Sequence, residues 1–246
     1  MLTRLLTHSL KNCGDLRVAD VRIGLCYTAV MLDDGNVGLA YMFRDELLRG
    51  CAARTVKQPF AGQGANDILF GITSSDFLKR TVGIAAANAV LNREHPGLIA
   101  GDVLDIIDLQ PDDVVGMVGY FGPLVSAIKR KGCRLLVFEK KSMKDEGVYP
   151  DEQACALLPE CTVALITATS IINATFEALV EAARSCRVRA VLGPSTPLAP
   201  EVFAPFRVSL LSGVIVAEPA ALLRIVSEGG GMHAFKHLVR KVNLKP

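Results

Sequence analysis

DVVGMVGYFGPLVSAIKRKGCRLLVFE, residues 113 to 139, holds two apolar runs separated by a glycine-rich turn and a helix-length stretch. Val114 to Val118 is a continuous, largely β-branched run bounded by glycine, the pattern of a parallel strand covered on both faces. The turn Gly119, Tyr120, Phe121, Gly122, Pro123 follows, then a helix from Leu124 to about Lys131. A second strand, Arg134 to Phe138, ends on Glu139. Parallel pairing needs such a crossover, so the stretch predicts a βαβ unit. In this arrangement ligands sit beyond the carboxyl ends of strands, at loop amides and helix N-termini. Gly119 and Gly122 permit close backbone approach, Pro123 suits a first helical turn, and an acid at the position of Glu139 commonly takes ribose hydroxyls. The turn carries GxxG and lacks the full GxGxxG, so its residues fit a structural turn as well as a ligand loop.

Working outward, TVALITAT (162 to 169), VRAVLGPSTP (188 to 197) and LLSGVIVAE (210 to 218) are further apolar runs. The helical stretches Ile171 to Arg184 and PAALLRIVSEGGG lie between or after them. Strands alternating with helices at this spacing give α/β architecture, a Rossmann-like doubly wound parallel sheet. The polar stretch KKSMKDEGVYPDEQ reads as a loop at the mouth of a site. Upstream the character differs. Leucines at 2, 5, 6 and 10 mark one helical face, and two β-rich runs flank Asp33, Asp34, Gly35, Asn36, a hairpin signal. Ser74 or Ser75 caps a helix running to about Asn92, whose small residues GIAAANA (83 to 89) allow close packing. This is a smaller α+β unit. Residues 93 to 112, rich in proline, glycine and acids, form the boundary, giving domains 1–100 and 101–246. The acids at 102, 105, 108, 112 and 113 suit a solvated connecting helix better than a cation site.

Composition narrows the classes. The chain has 246 residues, half of them hydrophobic, enough for one large or two ordinary cores. A formal charge of +2 without a basic track argues against nucleic acid. No apolar stretch reaches membrane-spanning length, and Met1 to Asn12 mixes Arg4, His8 and Lys11 among leucines, unlike a secretory leader. The expected location is the cytoplasm. Seven cysteines without any CxxC pair fit reduced, buried thiols, Cys155 and Cys161 among them. A homodimer is the expected assembly.

Polar residues cluster where the strands end. Thr167, Thr169, Ser170, Asn173 and Thr175 follow one strand, and Gly193, Pro194, Ser195, Thr196 and Pro197 follow the next. In a parallel sheet these ends share one edge, so both clusters are expected to meet the 119–123 turn and Glu139 in one cleft. Ser170 read alone is a helix cap, but a cap uses one hydroxyl and not the whole group.

GYFGPL (119–124), TATSIINATFEAL (167–179), GPSTPLAPEVF (193–203), LSGVIVAEP (211–219) and EGGGMHAFKHLVRKV (228–242), with YTAVMLDDGNVGLAY upstream, resemble the family described as putative heavy-metal chelation. The resemblance spans nearly the whole chain. It implies an amino-terminal domain like that of enolases, a Rossmann-like carboxy-terminal domain and a site in the cleft between them. At position 174, where the family pattern leads one to expect glycine, this chain has alanine.

His233 and His237 stand four apart on a predicted helix and so share a face that suits one transition metal. Lys236, Arg240 and Lys241 surround them, which favours a solvated surface helix. No GxSxG elbow is present, and Ser195 has no partner of a catalytic triad identifiable from sequence. Glu139 is the candidate catalytic residue, as acceptor or general base. Two functions stay open. One is an enzyme acting on a small polar substrate, nucleotide-like or amino-acid-like, in metal-chelator synthesis or heavy-metal handling. The other is a non-catalytic protein that sequesters a divalent metal or its chelate.

Overall fold

Leucine spacing in residues 2–12 produces the first helix, α1 (Leu2–Asn12), which buries Leu5 and Ser9. In the computed structural model the described residues are 1–46, 58–140 and 147–246. Three strands follow as an antiparallel meander: β1 (Val18–Ile23), β2 (Tyr27–Leu32) and β3 (Val37–Tyr41). The expected hairpin joins β2 to β3, with Gly35 at φ +87° in its turn. After the short helix α2 (Ala65–Leu69) comes α3 (Phe77–Leu91). Its cap is Asp76, not Ser74 or Ser75: the Asp76 carboxylate accepts from the Leu78 and Lys79 amides, while the Ser74 hydroxyl accepts from the Asp76 amide. The small residues of α3 do what their size predicts. Gly38 of β3 lies on them so closely that a Cβ there would overlap the Ala85 carbonyl and the Ala89 nitrogen.

The larger unit is an eight-stranded sheet in the order β4-β11-β10-β9-β8-β5-β6-β7. Its strands are β4 (Ile99–Ala100), β5 (Val114–Val118), β6 (Arg134–Glu139), β7 (Val148–Pro150), β8 (Val163–Thr167), β9 (Val188–Leu192), β10 (Leu210–Val216) and β11 (Val239–Leu244). The βαβ stretch folds as its pattern predicts, with α4 (Gly122–Arg130) between β5 and β6. Strands β5 to β10 run parallel, whereas β11 is antiparallel to β10, and β4 to β11. Successive side chains along each parallel strand point to opposite faces, so one face packs Met117, Leu135 and Leu165 while the other packs Leu136, Ala164 and Ile166. The second face shares its core with the smaller unit, since Leu5, Val30, Ala85 and Phe176 belong to one cluster. The outer face of the small sheet is covered in turn by α9 (Pro219–Ser227) and α10 (Met232–Phe235), through Leu222, Val226 and Phe235.

Several expectations differ from what is found. The helix expected over Ile171 to Arg184 is two helices, α6 (Thr169–Ile172) and α7 (Phe176–Ala182), separated by Ala174 at φ +61°. The helix expected to carry His233 and His237 ends at Phe235, so the pair does not share a helical face. Arg240 and Lys241 lie in β11, whose ladder to β10 and buried Val239, Val242 and Leu244 outweigh its two cations. In the boundary region the acids form a 3₁₀ turn, Val103–Asp105, where Asp102 and Asp105 make a capping box. Asp113 is buried and taken by Arg187. Within the polar stretch expected as a loop, residues 141–146 lie outside the described residues, and the remainder includes β7 and the 3₁₀ turn Asp151–Gln153, after which comes the short helix α5 (Ala154–Leu157). Cys155 on α5 is exposed, contrary to its reading as a buried thiol, while Cys161 is buried.

Candidate functional site in the interdomain cleft

The strand order contains a reversal. From β5 the chain winds one way through β6 and β7, then returns to the other side of β5 and continues through β8, β9 and β10. The loops leaving the carboxyl ends of β5 and β8 therefore diverge and leave a crevice between them, the place where open α/β sheets bind ligands.

Gly119, at φ +88°, starts the turn after β5. A Cβ there would stand 3.1 Å from Thr167 Cβ, so glycine lets the first turn fold against the end of β8. Phe121 reaches from its own turn to the loop after β9: its ring lies 3.6 Å from where a Gly119 Cβ would stand and 4.0 Å from where one would stand on Gly193, which holds φ +113°. Glu139 accepts the Tyr120 amide at 2.9 Å and the Lys140 amide at 2.8 Å. Its carboxylate thus clamps the turn. Phe121, the N-cap of α4, supplies no side-chain bond to that helix, and Pro123 occupies its first turn. Tyr120 and Pro123 are exposed, and Gly119, Phe121, Gly122, Glu139, Thr169, Asn173, Gly193 and Pro194 are half-buried.

The smaller unit closes this edge with residues that sequence reasoning did not single out. The Tyr41 amide, at the end of β3, donates to Ser195 Oγ at 2.8 Å. Tyr41 and Phe43 meet edge to face at 5.1 Å between centroids, and Lys140 Nζ stands 5.4 Å from the centre of Phe43. Burial, reinforced by Cys26 and Glu139, pushes the Tyr41 phenol above its usual range, so at neutral pH it is a hydrogen-bond donor. Arg80 of α3 reaches across to the Ile172 carbonyl at 2.9 Å, and Asn92 at the end of α3 holds the Thr196 carbonyl at 2.9 Å and the Leu198 amide at 2.8 Å. Only the alternation of β3 into aromatic Tyr41 and Phe43 could have pointed here, because these contacts join residues far apart in sequence.

Not every hydroxyl in the clusters faces the cleft. Ser170 is buried and donates to the Thr167 carbonyl at 2.6 Å, and it sits inside α6 instead of capping a helix. Ser195 is spent on Tyr41, and the Thr196 hydroxyl is buried without a partner among the described residues. Asn173 Oδ1 accepts from the Thr175 hydroxyl at 2.7 Å and from its amide at 3.2 Å, so both residues secure the break between α6 and α7. These groups shape the rim. Thr167 and Thr169, with hydroxyls 3.0 Å apart, stay beside the crevice. His233 and His237 are exposed, at the far end of α9 and α10. Among the described residues no three His, Cys, Asp or Glu side chains come together as a metal would require. A cavity of about 590 Å³ lies elsewhere, at the carboxyl end of α3.

Fold and crevice define a two-domain α/β protein with a Rossmann-like sheet and a smaller antiparallel unit against its carboxyl edge. The family model described as "Putative heavy-metal chelation" matches residues 102–245, and a second model of the same description matches residues 7–91. The chain belongs to this family. A relative described as an uncharacterized protein of Methanocaldococcus jannaschii is 25% identical over 242 residues, covering 94% of this chain and 91% of its own length. A family member of unknown function from Pyrococcus horikoshii superposes with a TM-score of 0.86 at 24% identity, covering 100% of this chain and 99% of the other. A second, from Desulfitobacterium hafniense DCB-2, gives 0.84 at 27% identity, covering 100% and 98%. Among the described residues no helix is long and apolar enough to cross a membrane.

Proposed function

We propose that the chain binds a small polar ligand, nucleotide-like or amino-acid-like, in the cleft between the β5, β8 and β9 loops and β3, and acts on it in metal-chelator synthesis or heavy-metal handling. One observation carries this reading: the strand order reverses between β5 and β8, where Gly119, in the left-handed region, lets the turn after β5 fold against Thr167, and Phe121 of that turn reaches toward Gly193 after β9. Backbone amides at the start of α4 suit an anionic group, Phe43 and Tyr41 offer aromatic faces, and the Tyr41 hydroxyl and Lys140 offer polar contacts. Glu139 is the acceptor that orders the turn and, in its remaining lone pairs, the group nearest to base chemistry. Among the described residues no three His, Cys, Asp or Glu side chains gather in this cleft, which favours a chelate or chelator over a bare ion.

Calorimetry tests the proposal by titrating S-adenosylmethionine, adenosine nucleotides and divalent metals into the wild type and Glu139→Ala. Saturable binding of an adenosine compound, weakened in the variant by release of the turn, supports it. Divalent metal binding equally to both proteins, with no nucleotide or S-adenosylmethionine binding, removes it in favour of metal sequestration.

A further inference from the structure

An aromatic row runs inward from the cleft. Phe43, under Lys140, meets Tyr41 at 5.1 Å, Tyr41 meets Tyr27 at 5.7 Å, and Tyr27 meets Phe235 of α10 at 5.2 Å between centroids, each edge to face. Tyr27, first in β2, is paired across the ladder with Tyr41, last in β3, so both rings lie on one face of the small sheet. The Tyr41 amide donates to Ser195, in the turn between β9 and α8 (Pro200–Phe203), but the hydroxyls of Tyr41 and Tyr27 have no hydrogen-bond partner among the described residues. For Tyr27 this is unusual, because the residue is only 9% exposed and a buried phenol normally reaches an acceptor. Its oxygen is not among those sealed from solvent without a partner, as the hydroxyls of Ser9, Thr28 and Thr196 are. Burial, and then Tyr41 and Cys26, push the Tyr27 phenol above its usual range, so at neutral pH it keeps its proton and acts as a donor. Cys26 is half-buried, its Sγ 3.6 Å from where a Cβ on Gly231 would stand. Among the described residues no cation bears on the Tyr27 phenol, whereas Arg44 acts on that of Tyr41 alongside Glu139 and Asp45.

We propose that Tyr27 and Tyr41 form a subsite at the inner end of the cleft, where their two hydroxyls hold an uncharged carbonyl oxygen of the ligand, as in an amide or a lactam. This rests on the cleft being a ligand site and adds the chemistry that its ligand must carry. A carbonyl oxygen has two lone pairs and accepts from both phenols. A carboxylate would be buried beside Tyr27 without a counter-charge, at far greater cost. An amino group brings a further donor and leaves the Tyr27 O–H unpaired.

The chain has four tyrosines, so carbon-13 at the ring ζ position gives signals that can be followed singly by NMR, with Tyr27→Phe and Tyr41→Phe assigning two of them. The full chain is titrated with acetamide, acetate and ethylamine. Acetamide is expected to shift the Tyr27 and Tyr41 signals together and saturably, to bind more tightly than acetate or ethylamine, and to lose about tenfold in affinity at Tyr41 once Tyr27 is Phe. The denaturant midpoint of Tyr27→Phe should equal or exceed that of the wild type, because the lost hydroxyl has no partner in the fold. No saturable acetamide shift, acetate bound as well as acetamide, affinity unchanged in Tyr27→Phe, or a lowered midpoint in that variant overturns the proposal. Acetamide reads the pair directly, so these outcomes are distinct from whether an adenosine compound binds in the cleft.

Discussion

Ala174 shows how one residue's conformation explains a departure visible in sequence. It holds φ +61°, the left-handed region that costs an alanine roughly 1–2 kcal/mol, between α6 and α7. Glycine removes that cost, less the freedom it adds to the unfolded chain. Ala174→Gly should therefore stabilise the protein by up to about 1 kcal/mol, read from the denaturant midpoint. Asp113 works at the opposite, amino edge of the sheet. Burial opposes its charge, but the Arg187 guanidinium, the Thr162 hydroxyl and the Gln110 amide outweigh burial and hold its carboxyl below the usual range. A carboxyl lowered on folding adds stability above its unfolded value of about 3.9, and that stability drains away as the pH falls through the folded value. Asp113→Ala should cost about 2–4 kcal/mol at neutral pH and flatten the loss of stability below about pH 4, measured by chemical denaturation across pH. Thiols divide equally clearly. Burial pushes Cys161 up to about 12 and Cys186 up to about 11, whereas Cys155 is exposed. Iodoacetamide on the native protein should label Cys155 and spare Cys161 and Cys186 until unfolding, as peptide mass mapping will show; labelling of Cys161 in the native state would contradict their burial.

At the scale of elements, apolar patterning was enough wherever a strand is buried on both faces. β5, β6, β8 and β9 appear almost where their runs of Val, Leu and Ile predict, and α4 crosses between the first two. Patterning failed at elements fixed by distant contacts. β11 is a strand because β10 and β4 pair with it on either side, yet its cations and the preceding glycines read as a helical tail. The break at Asn173 and Ala174 depends on the Asn173 side chain and a left-handed residue, neither of which interrupts helical periodicity in the sequence. α3 was legible in composition, because its run of small residues foretold a close partner, though not which one. That partner is β3, and the contact tolerates nothing larger than hydrogen at position 38. Gly38→Val should prevent folding or cost upward of about 3 kcal/mol, while Gly35→Ala in the exposed turn, strained only by its positive φ, should cost about 1 kcal/mol. Thermal midpoints of the two variants compare them directly.

The whole molecule is two sheets sharing one core, with α3 pressed between the small sheet and the large unit and α9 and α10 closing the far side. This arrangement turns three loops into a rim. The sequence showed the loops as clusters after strands, and parallel pairing put them on one edge. It could not show which hydroxyls turn inward, because the Ser195 hydroxyl is taken by the Tyr41 amide and the Thr196 carbonyl by Asn92, residues contributed by the other unit, while the Thr196 hydroxyl is buried. Nor could it show the aromatic and cationic wall of Tyr41, Phe43 and Lys140, which exists only once β3 meets the large sheet. The most direct measurement is hydrogen–deuterium exchange with and without the adenosine compound that binds most tightly in the calorimetric series. Slowed exchange concentrated at residues 119–123, 139–140 and 167–173 and at the 193–195 turn is the expected result. Slowing confined to the exposed histidines after α9, or to segments away from the carboxyl edge of the sheet, would contradict the account.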